Sequence, residues 1–142
     1  MMGRSGWKTA SGILAAGAML LGCFVPIIYG AYKVYDKGNY QVIALRIMQT
    51  PETVYKTAIA TTEERGGKID KRDDKEMLLT GKSRGGQDAI VKVSSAPKGG
   101  SELTITLEKG KDPKAEREEI VNLVLSVCSK LGTQCSEEKG KK

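Results

Sequence analysis

Strict alternation of apolar and polar residues marks two neighbouring segments in the second half of the chain. In residues 87–96 the apolar set on one face is Ala89, Val91 and Val93, and in residues 101–108 it is Leu103, Ile105 and Leu107. A period of two residues predicts half-buried β-strands. The intervening turn, Pro97-Lys98-Gly99-Gly100, is short and glycine-rich, so the two strands are expected to pair antiparallel.

Three further segments are predicted to be strands, namely residues 40–49, 68–72 and 76–83. The first is rich in β-branched and apolar residues, and the other two are joined by the polar turn at residues 73–75. Short polar turns between such segments predict an antiparallel meander. The exposed edge of a meander offers a partner a place to add a strand.

Helical spacing of apolar residues appears in residues 51–65 and 113–131. Each segment opens with a capping residue followed by proline, Thr50-Pro51 and Asp112-Pro113, and each is followed by glycine. The apolar faces consist of Val54, Ala58, Thr61 and Thr62 in the first helix, and Ile120, Val124, Val127, Cys128 and Leu131 in the second. Acidic residues at 116, 118 and 119 suit the positive end of the second helix dipole.

The order β-α-β-β-β-β-α predicts an α+β fold, with an antiparallel sheet of about five strands and two helices on one face. We expect this domain to occupy residues 39–132. Residues 133–142 are mostly charged or polar and are expected to form a frayed tail.

The N-terminus has the profile of a secretory signal. Residues 1–11 carry two positive charges and no negative charge, and residues 12–22 are wholly apolar or small. Leu20, Leu21, Gly22 and Cys23 close this stretch and resemble the lipobox of bacterial lipoproteins, in which the cysteine thiol receives the lipid. We therefore expect a signal peptide over residues 1–22, a lipid on Cys23 and an apolar tether over residues 23–38.

An uncleaved transmembrane helix is the alternative for this region. Apolar character continues to residue 32, so residues 12–32 are long enough to cross about 30 Å of hydrocarbon. Many small residues and Pro26 weigh against a regular helix, although membrane helices tolerate proline. The Leu-Leu-Gly-Cys setting favours the lipoprotein, because a spanning helix has no need of it.

The whole layout resembles a group of small bacterial lipoproteins of unassigned function. Besides the lipobox, the likeness rests on the step Tyr35-Asp36-Lys37-Gly38 and the helix opening at residues 50–55, and it covers residues 20–131. More distantly, the chain is similar to the helix-grip domains of a lipoprotein subunit in the outer-membrane barrel assembly machine. The resemblance implies a helix-grip-like domain without catalytic residues. Phe24 replaces the aspartate that retains such proteins in the inner membrane, which favours the outer membrane over the inner one.

Composition narrows the chemistry further. The 142 residues include no histidine, which removes the commonest general base and metal ligand. The net charge is +6, but basic and acidic residues alternate along the chain, whereas nucleic-acid binders concentrate positive charge on one face.

Two short motifs were tested for chemistry. Gly81-Lys82-Ser83 lacks the earlier glycine of a phosphate-binding loop, since residue 76 is glutamate. The acidic residues 70, 73, 74 and 76 lack calcium-loop spacing and favour a solvated hairpin. We therefore expect no enzyme, cofactor, metal or nucleic-acid partner.

Cys128 and Cys135 form a candidate disulfide. Cys128 lies on the apolar stripe of the second helix, and a reversal after Gly132 can bring Cys135 near it. In an exported protein two such thiols favour a bond. The alternative is a buried Cys128 with a free Cys135 on the tail.

These features predict a membrane-anchored lipoprotein that faces the periplasm and serves as a non-enzymatic binding or accessory module of the cell envelope. Its partners would be the membrane, through the lipidated N-terminus, and an envelope protein that the sequence does not identify. The alternative is a periplasmic small-ligand carrier or enzyme with a cleft between the helices and the sheet.

Overall fold

The computed structural model describes residues 29–138. Leu20 to Cys23 lie outside the described residues. The elements, in chain order, are β1 (Tyr29–Lys37), β2 (Tyr40–Ile47), α1 (Pro51–Glu64), β3 (Lys68–Asp73), β4 (Leu78–Lys82), β5 (Asp88–Ser95), β6 (Ser101–Glu108), α2 (Pro113–Lys130) and β7 (Gln134–Glu137).

The strands form one seven-stranded sheet in the order β3-β4-β5-β6-β2-β1-β7. All neighbours are antiparallel except β1 and β7, which are parallel. The α+β class and the two helices agree with the sequence analysis. The expected antiparallel sheet of about five strands is wrong, because the sheet is mixed and has two more strands.

Both additional strands come from stretches that the sequence analysis assigned to other roles. β1 lies in the expected tether, where its apolar residues follow the apolar leader without a break and were attributed to the membrane. Gly30 and Val34 nevertheless lie opposite Ile47 and Ile43 of β2, so the strand extends the sheet. β7 lies in the expected tail. It has four residues, too few for a visible period, and its pairing with β1 joins positions about a hundred residues apart.

The core lies between the helices and one face of the sheet. Ile43 pairs with Ile105, which pairs with Val91, and these three buried side chains form one row across the sheet. The buried helix residues that belong to this core are Val54, Tyr55, Ala58, Ile120, Val124, Val127 and Cys128. The predicted apolar faces of both helices are thus confirmed, as are the caps: Thr50 Oγ1 accepts from Thr53 N at 3.3 Å and Asp112 Oδ1 from Ala115 N at 3.2 Å.

The strand register defines two ends of the sheet. Gly30, Ile47, Ser101 and Ser95 lie together at one end, which we call the proximal end because the chain enters β1 there. At the opposite, distal end lie the β1–β2 turn and the β4–β5 hairpin. The two ends are therefore separated by the full length of the strands.

Candidate functional site

A small cavity, which we call the notch, lies between α1, α2 and strands β4 to β6. Its volume is about 50 Å³, enough for roughly three or four water-sized groups. The apolar residues that line it are Ala89, Val91, Ile105, Leu107, Ile120 and Leu123. Since Ala89 and Leu107 pair near the distal end of the sheet, the notch lies in the distal half of the domain.

The polar lining of the notch is mainly basic. Arg65 follows α1, and Lys82 and Arg84 belong to the β4–β5 hairpin, while Glu119 of α2 is the acidic residue in the lining. Lys82 forms an ion pair with Asp88, and this hydrogen bond raises the pKa of the Lys82 ammonium group. Arg84 has no ion pair with any residue between 29 and 138. With Lys82 paired to Asp88, the two arginines against Glu119 still leave an excess of positive charge, which favours an anionic group at the notch.

Two polar atoms of residues lining the notch are buried without a hydrogen-bond partner in the described chain. They are Thr62 Oγ1 and Arg65 Nε. Arg65 Nη1 does donate to Ser126 Oγ, at 3.4 Å. Buried polar atoms in folded proteins are nearly always paired, so two orphans beside one cavity call for a physical explanation.

A second polar cluster joins α1 to the turn after β3. Tyr55 Oη donates to Asp74 Oδ1 at 2.7 Å, and Arg72 donates to both carboxylate oxygens of Asp74 at 3.1 Å. Burial, reinforced by the bond to Asp74, raises the pKa of the Tyr55 phenol. The hydrogen bonds from Arg72 and then Tyr55 lower the pKa of the Asp74 carboxyl. Both oxygens of Asp74 are therefore engaged in holding the fold.

The other motifs considered in the sequence have local structural roles. Asp73 Oδ1 accepts from Glu76 N at 3.2 Å within the β3–β4 turn. Within residues 29–138, no group of three or more acidic or cysteine side chains is placed to hold a metal ion. Ser83 follows β4 and donates to Gln87 Oε1 at 2.8 Å, which closes the β4–β5 hairpin.

Cys128 and Cys135 are bonded to each other, with their Cα atoms 6.2 Å apart. The bond joins the last turns of α2 to β7. Because β7 pairs with β1, it links the second helix to the strand nearest the N-terminal segment.

The edges of the sheet are poorly suited to the strand addition that the sequence suggested. Edge strand β3 has five charged residues among its six and a register shift between Ile69 and Lys71. The opposite edge, β7, has four residues. Charge, irregularity and shortness are the features by which natural edges resist pairing with another chain.

Sequence reasoning missed the notch because its lining comes from five elements that are far apart in the chain. The available signal was the recurrence of basic residues next to glycine turns, at Arg65-Gly66 and Arg84-Gly85. Gly66 was interpreted only as the end of the first helix, and Arg65 was not connected with Arg84.

Neither α1 nor α2 has the length and apolar character needed to cross a bilayer, as judged over residues 29–138. No known protein family matches this chain, and no curated protein does.

Proposed function

We propose that this chain is a bacterial lipoprotein, anchored through Cys23, whose α+β domain is a non-enzymatic binding module on the periplasmic side of the outer membrane. The observation that carries the proposal is the distance between anchor and fold. β1 begins at Tyr29, six positions after Cys23. At roughly 3.5 Å per extended residue, the proximal end of the sheet would lie within about 20 Å of the lipid.

The side chains at the proximal end support this orientation. Met48, directly after β2, is 56% exposed, and the neighbouring β5–β6 hairpin carries the exposed Pro97 and Lys98. Apolar and positively charged groups side by side suit the surface of an anionic bilayer. The notch, in the distal half, would then be presented to the periplasm.

The size of the notch favours a site that holds one group of a partner over one that encloses a whole small molecule. Pockets for drug-sized ligands measure roughly 300–1,000 Å³, whereas the notch has about 50 Å³. Ser83, whose hydroxyl belongs to the lining, is hydrogen-bonded to an amide rather than to a base. A small apolar cavity with a basic lining is suited to holding one group of a partner.

Site-specific photo-crosslinking in intact cells tests the proposed arrangement. A photoreactive residue at Met48 should crosslink to phospholipid, and the same residue at Gly85 in the distal hairpin should not. The Met48 product should disappear when Cys23→Ser is introduced. Equal lipid crosslinking from both positions, or lipid crosslinking that survives Cys23→Ser, would contradict the proposal.

A further inference from the structure

We propose that the notch binds a short aliphatic carboxylate, with the hydrocarbon on its apolar floor and the carboxylate on the guanidinium groups of Arg65 and Arg84. This inference deepens the proposed binding function by naming a ligand class. It rests on the geometry of the notch and does not require that Cys23 be lipidated.

The size of the notch sets the hydrocarbon part of the ligand. A volume of about 50 Å³ is roughly a third of a cavity that holds benzene, so the notch admits two or three methyl-sized groups, such as the branched end of an isobutyl group, and no aromatic ring. Val91, Ile105 and Ile120 on the floor are all at most 6% exposed. An aliphatic group placed there would pack against these buried side chains and lose the water on that side.

The charges set the head group. Lys82 is already paired with Asp88, so Arg65 and Arg84 are the cations available to a ligand, and Glu119 opposes them with one negative charge. A carboxylate bound beside the Arg65 guanidinium would place a negative charge next to a buried donor, Nε, that has no partner in the described chain. Thr62, which also lines the notch, has the other buried atom without a partner, and its hydroxyl hydrogen is unused. Charge-assisted hydrogen bonds of this kind are strongest where water is excluded.

Two sources share this chemistry. One is a free branched short-chain acid, and the other is the C-terminal carboxylate of a protein that ends in leucine or valine. Both present a carboxylate a few bonds from a small aliphatic group, so both satisfy the notch in the same way.

Methyl NMR on the full chain in detergent micelles, labelled at isoleucine δ1 methyls, tests the proposal with isovalerate at neutral pH. The Ile105 and Ile120 signals should shift and saturate, while Ile47 at the proximal end should not move. Isoamyl alcohol, which has the same hydrocarbon but no charge, should bind about tenfold more weakly or worse. Equal affinity for acid and alcohol, or shifts that do not saturate, would overturn the proposal.

Variants then locate the site. Arg65→Gln should weaken isovalerate binding about tenfold, and Ala89→Leu should abolish it by filling the cavity. Arg46→Gln, on the sheet face away from the helices, is the matched control and should bind like the wild type. The Ile47 methyl signal reports whether each variant is folded, and unchanged binding by folded Arg65→Gln and Ala89→Leu would overturn the site.

A short peptide ending in Gly-Leu separates the two sources. If it binds more tightly than isovalerate as the free acid but not as the C-terminal amide, the ligand is a chain terminus. If isovalerate binds more tightly, the ligand is a free acid. None of these measurements depends on the lipid, so their failure would leave the anchoring proposal standing, and the reverse also holds.

Discussion

Gly30 of β1 lies opposite Cys135 of β7, and the sulfur of Cys135 occupies the space that a β-carbon on residue 30 would need. The Leu45 side chain and the Arg46 carbonyl oxygen close the same space at 3.3 and 3.4 Å. Residue 30 must therefore be glycine for β7 to approach while Cys135 is bonded to Cys128. The position of β7 and the Cys128–Cys135 bond thus depend on the absence of a side chain at residue 30, about a hundred positions earlier in the chain.

Gly30→Ala should consequently lower the free energy of unfolding by about 2 kcal/mol, the usual range for forcing a methyl group into a filled space. Without the steric conflict, the same change in a strand would be neutral or mildly stabilising. Urea unfolding followed by circular dichroism measures the difference.

The control for this prediction is the same substitution in a Cys128→Ala/Cys135→Ala background. There the sulfur is gone, and Gly30→Ala should change the stability by no more than about 0.5 kcal/mol relative to that background. An identical loss in both backgrounds would show that the sulfur is not what excludes a side chain at residue 30.

Removing the disulfide should itself destabilise the domain. The two cysteines are seven positions apart, and closing so short a loop is worth roughly 2.5 kcal/mol on the chain-entropy estimate. Cys128→Ser/Cys135→Ser should unfold at correspondingly lower urea concentration, and amide exchange in residues 134–137 should accelerate. Native protein should be about 2 Da lighter than the form reduced under denaturing conditions, as expected for one bond. Two free thiols in the native exported protein would contradict the bond.

The sequence was sufficient wherever the pattern was local. The alternation in β5 and β6, the caps at Thr50 and Asp112 and the apolar face of α2 all follow from residues within one element. β1 and β7 could not be recognised in this way, because each is a strand only through pairing with distant residues. The notch could not be predicted from the sequence for the same reason, because only the packing of the fold brings Arg65 and Ala89 to one cavity.

Acidification should weaken the fold through Asp74. Its carboxyl pKa is lowered from the ordinary 3.8 in the folded state, so its contribution to stability is full above that value and is lost as the pH falls through the folded pKa. Asp74→Asn removes the titrating group and should make the fall in unfolding free energy with decreasing pH shallower. Urea titrations between about pH 2 and pH 7 measure this, and parallel acid profiles for wild type and variant would contradict it.

Tyr55 should make the stability of the fold decline at alkaline pH. Its phenol pKa is raised from the ordinary 10.0, so its contribution is full below pH 10.0 and is lost as the pH rises through the folded pKa. Tyr55→Phe should flatten the alkaline decline in stability while losing about 1 kcal/mol at neutral pH from the missing hydrogen bond. An alkaline decline unchanged in Tyr55→Phe would exclude this residue as its source.

Glu116 makes a contact that the helix dipole alone does not require. Its carboxylate accepts from Gly110 N at 2.7 Å and from Asp112 N at 3.3 Å, so it folds back over the start of α2. Glu116→Ala should lower the free energy of unfolding by about 2 kcal/mol, because a charged acceptor is lost from two backbone donors. Glu118→Ala, an exposed acid in the same helix, should stay within about 0.5 kcal/mol of the wild type. Equal effects of the two substitutions would leave the dipole as the sole role of Glu116.

The central claim is that Cys23 carries the lipid that places this domain at a membrane. Metabolic labelling of the full chain with radioactive palmitate tests it most directly. Label should enter the wild type and the Cys135→Ser control and be absent from Cys23→Ser. Equal incorporation into Cys23→Ser, or none into the wild type in a host that processes lipoproteins, would contradict the claim.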